Sequence, residues 1–325
     1  MRGRWYLFGA GLVFGTLLAL FASRLTDPAA VRLMLSSVSP GSAVIIAIGI
    51  VAFLLLKSIR WRQLLRPLMA RDVGDLFPAV ALGSAANYVI PHIGELLRIW
   101  AIGRNGKNSN SAMLATIALE RVLDVAAIGL AGMGLLLLEV HSPQLELAVQ
   151  ALAFGCGLCF VAIVVLLRYP TVALQWCTER FPRIVASRGG QWALSKLRAA
   201  LEGLDEARSP VHLLQLLVLS VAQWACIAFC IGMSLDAAGL VPTLGANVAV
   251  LVLVVAGLVL PSAPGYVGTT QVAFLMALEP LGYDTDAAVA ASVIYNVVIV
   301  AAIVAVALAT LFWVRPRLWG AGPGA

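Results

Sequence analysis

Two short runs set ionisable side chains among residues that are otherwise apolar. One is Asn87-Tyr88-Val89-Ile90-Pro91-His92-Ile93-Gly94-Glu95-Leu96-Leu97-Arg98, and the other is Leu119-Glu120-Arg121-Val122-Leu123-Asp124. Inside a bilayer a charge costs about 2.5–3.5 kcal/mol on insertion scales, so ionisable groups there point to function by default. In the first run Pro91 and Gly94 break a helix and free backbone groups. Glu95 and Arg98 are three apart, so on a helix beginning near Ile93 they share a face and can pair. The start of such a helix also offers unpaired N–H groups suited to an anion. In the second run Arg121 and Asp124 repeat the spacing, while Glu120 points elsewhere, toward Arg98 or Lys107. Two arginines beside a broken helix suit a phosphate, because a guanidinium forks onto phosphate oxygens. The same groups could instead neutralise one another and hold helices together, and the sequence leaves both readings open.

A third run, Leu260-Pro261-Ser262-Ala263-Pro264-Gly265-Tyr266-Val267-Gly268-Thr269-Thr270-Gln271, is polar without charge. Gly265 and Gly268 permit close backbone approach. Ser262, Thr269, Thr270 and Gln271 can line a polar path, or can satisfy the freed backbone of a kinked helix. Asn87, Asn247 and Asn296 read first as glue between helices. His92, His141 and His212 are scattered without metal-ligand spacing, so neither a metal nor any cofactor is expected. Of the cysteines, Cys156 and Cys159 form a C-x-x-C, but in an apolar run where thiols pack as small hydrophobes. No Ser/His/Asp set, phosphate loop or dinucleotide fingerprint is present, and the expectation is a protein without enzymatic activity.

The elements that must carry these runs follow from composition. Of 325 residues, 61% are hydrophobic and 12% charged, and the mean hydropathy is +0.96. A soluble domain is about half apolar and a quarter charged, so this is a membrane chain. The net charge of +6 does not indicate a nucleic-acid partner, because the basic residues cluster between long apolar runs. Stretches long enough to span, about 20 residues, are 5–22, 41–58, 112–138, 147–167, 211–233 and 287–313. The first has a basic start like a signal peptide but is expected to remain as an uncleaved helix. Two further apolar stretches, 76–103 and 244–279, are interrupted by Pro and Gly and read as re-entrant segments. Lys57, Arg60, Arg62, Arg66 and Arg71 are read as a basic loop after the second span. With the basic stretch 168–208 and the Lys/Arg-free loops 139–146 and 234–243, they place both termini in the cytoplasm.

The expected fold is therefore an all-α polytopic membrane protein with six full transmembrane helices and two re-entrant broken segments. The order span, span, re-entrant, span occurs twice with opposite entry sides. That suggests a single transmembrane domain built of inverted repeats, 5–139 and 147–313, a layout in which transporters place a site where broken segments meet. Residues 171–208 read as an amphipathic segment on the cytoplasmic surface, and 320–325 as a disordered tail.

The motifs resemble those of the lysylphosphatidylglycerol synthase transmembrane-region family, also called the flippase-like domain family. The matching pieces are Asn87-Tyr88-x-x-Pro91-x-x-Gly94-Glu95-x-x-Arg98, then Glu120-Arg121-x-x-Asp124, then Pro261-x-x-Pro264-Gly265-x-x-Gly268-Thr269-x-Gln271. They extend over about residues 5–313. Many members carry Glu where Gln271 stands, so the resemblance does not supply a second buried carboxylate or proton coupling through it. It implies a bacterial inner-membrane protein associated with moving lipids between leaflets. In the aminoacyl-phosphatidylglycerol synthases such a domain precedes a cytosolic aminoacyltransferase domain. The present sequence carries none, and a stand-alone member that does not make the modified lipid is expected.

Three functions compete on this reading. The first is a lipid translocase, with Arg98 and Arg121 holding an anionic headgroup and Glu95 and Asp124 orienting them. The second is an accessory subunit that anchors a separate glycosyltransferase or lipid-modifying enzyme. The third, a membrane-embedded transferase or phosphatase, lacks a recognisable nucleophile and base.

Overall fold

In a computed structural model of the chain, the residues described are 38–103, 110–137, 209–258 and 263–319, with isolated positions between 29 and 36 and between 150 and 191. All elements among them are helical. The expected spans 5–22 and 147–167, the surface segment 171–208, the loops 104–109 and 139–146, Pro261, Ser262 and the tail lie wholly or mostly outside the described residues.

Helix α1 runs Pro40–Leu65. Ser39 caps it by accepting from the Ser42 N–H at 3.1 Å, and Pro40 supplies a first-turn φ without wasting a donor. At 26 residues it is ~39 Å long, more than the ~30 Å hydrocarbon core. It also passes beyond the sequence-read limit of residue 58. Nothing breaks it before Pro67, so its buried stripe of Ile46, Ile50 and Leu54 continues through Lys57, Arg60, Trp61 and Leu64. The basic residues read as a loop are thus partly helical and inward-facing. This corrects the sequence reading of Lys57 and Arg60, because the density of basic residues does not reveal which face they occupy.

Next come α2 (Val73–Val89) and α3 (Ile93–Gly103). Each is shorter than the ~20 residues of a span. They form a tight hairpin whose turn passes through Pro91 and through His92 at φ 65°. Gly83 and Gly94 bring the two backbones together: a Cβ on Gly94 would lie 1.9 Å from the Gly83 carbonyl oxygen. Helix α4 (Asn110–Leu137) has spanning length but carries Glu120, Arg121 and Asp124. Helix α5 (Pro210–Ala237) is a long apolar helix.

A second hairpin follows, from α6 (Leu244–Gly257) to α7 (Thr269–Leu278). A single 3-10 turn at Pro264–Tyr266 lies on the return path between them. Positive φ at Gly265, Tyr266 and Gly268 (74°, 56° and 84°) turns the chain. Helix α8 (Thr285–Trp319) closes the bundle. By length and composition α1, α5 and residues Thr285–Leu311 of α8 can cross a membrane. The broken hairpins lie among them, so this is an all-α membrane protein.

Helix α1 packs on α5, α2 on α8, and α4 on both α5 and α6, around one apolar core. The two hairpins meet through the Tyr88 and Tyr266 rings, edge to face at 5.5 Å, a favourable aromatic geometry.

Candidate functional site

Residues 120 and 124 are one turn apart on α4, and both carboxylates face Arg60 of α1. Arg60 donates from Nη1 to Asp124 Oδ1 at 2.7 Å and to Ser220 Oγ at 2.6 Å, and from Nη2 to Glu120 Oε1 at 3.3 Å. Its side chain is fully buried (0%). On the other side of Glu120, Arg98 Nη1 reaches Oε2 at 2.8 Å. The Arg98 guanidinium lies 4.0 Å over the Trp61 ring, a cation–π arrangement. Arg121, next along α4, points the other way and pairs with Glu95 of α3 and, at 3.7 Å, with Asp124 Oδ2. Trp224 of α5 donates its indole N–H to Asp124 Oδ1 at 3.1 Å.

The result is an alternating chain of charge, Arg98–Glu120–Arg60–Asp124–Arg121–Glu95, that ties α1, α3 and α4 together and reaches α5 through Ser220 and Trp224. Three cations face three carboxylates. The four inner charges each have opposite charges on both sides, and Arg98 at one end has the Trp61 ring face, which offsets much of the cost of ionic groups away from water.

Glu95 and Arg98 do not pair with one another, contrary to the sequence expectation. They make crossed pairs with Arg121 and Glu120, because α3 lies alongside α4 and the two adjacent α4 residues diverge by about 100°. Arg98 is 2% exposed, lodged between Trp61 and Glu120, and does not line the cavity beside the network. Lys107, the other partner weighed for Glu120, lies outside the described residues.

The network borders a partly open cavity of about 140 Å³ lined by residues of α1, α2, α4, α5, α8 and the two hairpins. Of the residues singled out in the sequence, Asn87, His92, Glu95, Arg121, Asp124, Thr270 and Asn296 line it. The others build its frame. Pro91 and Gly94 form the first turn, where Asn87 Oδ1 accepts from the Gly94 N–H at 2.7 Å, and Asn87 Nδ2 donates to Glu95 Oε1 at 3.4 Å. Glu120 lies behind the cavity wall. Pro264, Gly265 and Gly268 shape the second turn. Gln271 folds back to accept from the Gly268 N–H at 2.6 Å, and Thr269 packs its methyl against Gly257. The second turn meets the cavity through Tyr266 and Thr270 instead. Asn296 of α8 holds that turn by donating to the Gly265 carbonyl at 2.9 Å.

Sequence reasoning missed Lys57, Arg60, Ser220, Gln223 and Trp224. For Lys57 and Arg60 the signal was available, since they continue the helical stripe of Ile46, Ile50 and Leu54. Ser220 and Trp224, one turn apart on an otherwise apolar span, gave none. Among the described residues no group of His, Cys, Asp and Glu is arranged to hold a metal ion.

The profile of the family described as lysylphosphatidylglycerol synthase TM region matches residues 8–308. That is nearly the whole chain, and it takes in both hairpins and the charged run of α4. The chain belongs to this family. No curated protein and no solved structure matches it. In this member of the lysylphosphatidylglycerol synthase TM region family, the motif residues of α3 and α4 form the ion network, while those of the second hairpin serve its own backbone.

Proposed function

We propose that the chain is a lipid translocase that moves an anionic lipid or lipid carrier between the leaflets of the bacterial inner membrane, with both termini in the cytoplasm and no bond chemistry. The observation that carries this reading is a largely apolar cavity, with Arg121, Glu95 and Asp124 on its wall, between the turns of two broken hairpins. An anionic headgroup fits beside the half-exposed Arg121, which Glu95 and Asp124 orient. The acyl chains stay in the bilayer.

The packing supports an inverted repeat around this cavity. Exchanging α1–α4 with α5–α8 carries each packed pair onto another packed pair: α1 with α2 becomes α5 with α6, α2 with α8 becomes α6 with α4, and α1 with α8 becomes α5 with α4. Transporters built this way alternate access about a site at the repeat interface.

The test is transbilayer movement of fluorescent anionic lipids in liposomes that hold the purified protein, beside an Arg121→Ala variant. The expected result is protein-dependent movement that falls at least about tenfold in the variant, the loss of one charge-assisted hydrogen bond. No movement across phospholipids and polyprenyl phosphates overturns the reading. An accessory subunit that anchors a separate lipid-modifying enzyme then becomes the better account.

A further inference from the structure

The three arginines of the network are matched by its three carboxylates, and among the described residues one cation at the cavity, Lys57, has no ion pair. Lys57 of α1 lines the same space and is 8% exposed. No ion pair or hydrogen bond joins its ammonium to a described residue. It lies over the Phe53 ring on the preceding turn, 5.7 Å from Nζ to the ring centroid. Lysines near the end of a spanning helix ordinarily snorkel to water, whereas Lys57 turns inward.

Around it, other polar atoms on the cavity wall also lack partners. They are Ser84 Oγ on α2, Gln223 Oε1 on α5 and Glu95 Oε2 on α3. Ser84 and Gln223 are 8% and 1% exposed. Buried polar atoms are nearly always paired, so several unpaired ones facing one cavity mark the place of a bound polar molecule.

We infer that Lys57, with Ser84 and Gln223, recognises the anionic group of the ligand alongside Arg121, while Arg60 and Arg98, which do not line the cavity, build the wall behind it. This deepens the translocase reading and rests on it for the lipid nature of the ligand. One uncompensated positive charge calls for a single negative one, a phosphodiester. Lys57 and Ser84 donate to its oxygens, and Gln223 Oε1 accepts from a hydroxyl beyond the phosphate. The cavity, at about 140 Å³, is below the roughly 300–1,000 Å³ of pockets that enclose a whole drug-sized ligand. It admits a headgroup and excludes the chains.

The experiment is calorimetric titration of the full chain in a neutral maltoside detergent. The probes are dihexanoyl phosphatidylglycerol, dihexanoyl phosphatidylcholine and glycerol phosphate, each against wild type, Lys57→Met and Lys57→Arg. Wild type is expected to bind the anionic lipid more tightly than the zwitterionic one. Lys57→Met is expected to weaken the anionic lipid about 10- to 100-fold, the effect of a lost charge-assisted hydrogen bond, and Lys57→Arg to retain most of the affinity. Lys57→Met should unfold no earlier than wild type, because it removes an unpaired charge, so a loss of binding reports on the site. Unchanged affinity in Lys57→Met, or equal binding of both lipids, overturns the inference. Glycerol phosphate binding as tightly as the lipid overturns the lipid assignment and leaves a phosphate-ester site. Lys57-dependent binding without movement in liposomes rejects the translocase and leaves this inference standing. Movement that is indifferent to Lys57 does the reverse.

Discussion

Arg60 holds two carboxylates on adjacent turns of α4, and its removal tests whether the network acts as a unit. Arg60→Met takes one cation from a balanced set and leaves it one negative charge in excess. Breaking a buried ion pair on one side typically costs 3–5 kcal/mol. Here the cost belongs at the lower end, about 3 kcal/mol, because neither carboxylate is stranded. Glu120 keeps Arg98 at 2.8 Å, and Asp124 keeps the Trp224 indole at 3.1 Å and Arg121 at 3.7 Å. Asp124→Asn leaves the opposite imbalance and is expected to cost about 2 kcal/mol, since Arg60 retains Glu120 and Ser220. The double variant restores charge balance, with Arg98 paired to Glu120 and Arg121 to Glu95. It is therefore expected to be no less stable than Arg60→Met alone, with a coupling of about 2 kcal/mol or more, inside the range seen for neighbours in one network. The measurement is reversible unfolding of all four proteins in mixed micelles with a denaturing detergent. Strict additivity, a coupling within about 0.5 kcal/mol of zero, would refute the alternating chain of charge.

Two further predictions concern the hairpins. Gly94→Ala places a methyl against the Gly83 backbone carbonyl, where no flexible side chain can yield. It is expected to destabilise by about 3 kcal/mol or to prevent folding, read as the thermal midpoint or as the yield of monodisperse protein; an unchanged midpoint would mean that α2 and α3 are not so closely packed. Gln271→Leu leaves the Gly268 N–H without its acceptor and is expected to cost about 1–3 kcal/mol. Gln271→Glu keeps an acceptor, with a charge suited to the start of α7, and is expected to stay within about 0.5 kcal/mol of wild type; equal losses in both would remove the capping role.

The hairpins were legible because Pro and Gly leave a strong mark in an apolar run. Pro91, Gly94, Pro264, Gly265 and Gly268 lie at or beside the observed turns. The α4 charges were legible because apolar surroundings make any ionisable residue conspicuous. The end of α1 was misread because Arg60 belongs to a cluster with Arg62, Arg66 and Arg71. A cluster of basic residues signals a cytoplasmic boundary whether or not one member turns inward, and only the helical period separates Arg60, fully buried, from Arg62, with its side chain 54% exposed. Partner choice was legible in part: Glu120 was read toward Arg98 or Lys107, and it pairs with Arg98. Glu95 and Arg98 have a spacing that favours pairing within a helix, and only the approach of α4 directs them to Arg121 and Glu120. The polar residues of the second hairpin were expected to line a path or serve the backbone, and in the structure Thr270 does the former and Gln271 the latter.

These outcomes share a physical cause. A broken helix in lipid must satisfy its freed N–H and C=O groups from nearby side chains, so a motif built around Pro and Gly also recruits Asn and Gln to close it. Buried charges must likewise be matched, so the Glu–Arg pairs are recruited to one another. Motif residues are consequently the ones whose polar capacity is largely spent within the fold. The capacity left for a ligand resides mostly outside the motifs, in Lys57, Ser84 and Gln223, on helices that otherwise read as ordinary apolar elements. Substitution at those three positions can alter which headgroup is accepted while leaving the hairpins and the ion network intact, whereas substitution at Gly94, where the two backbones of the first hairpin touch, disturbs the frame of the cavity itself.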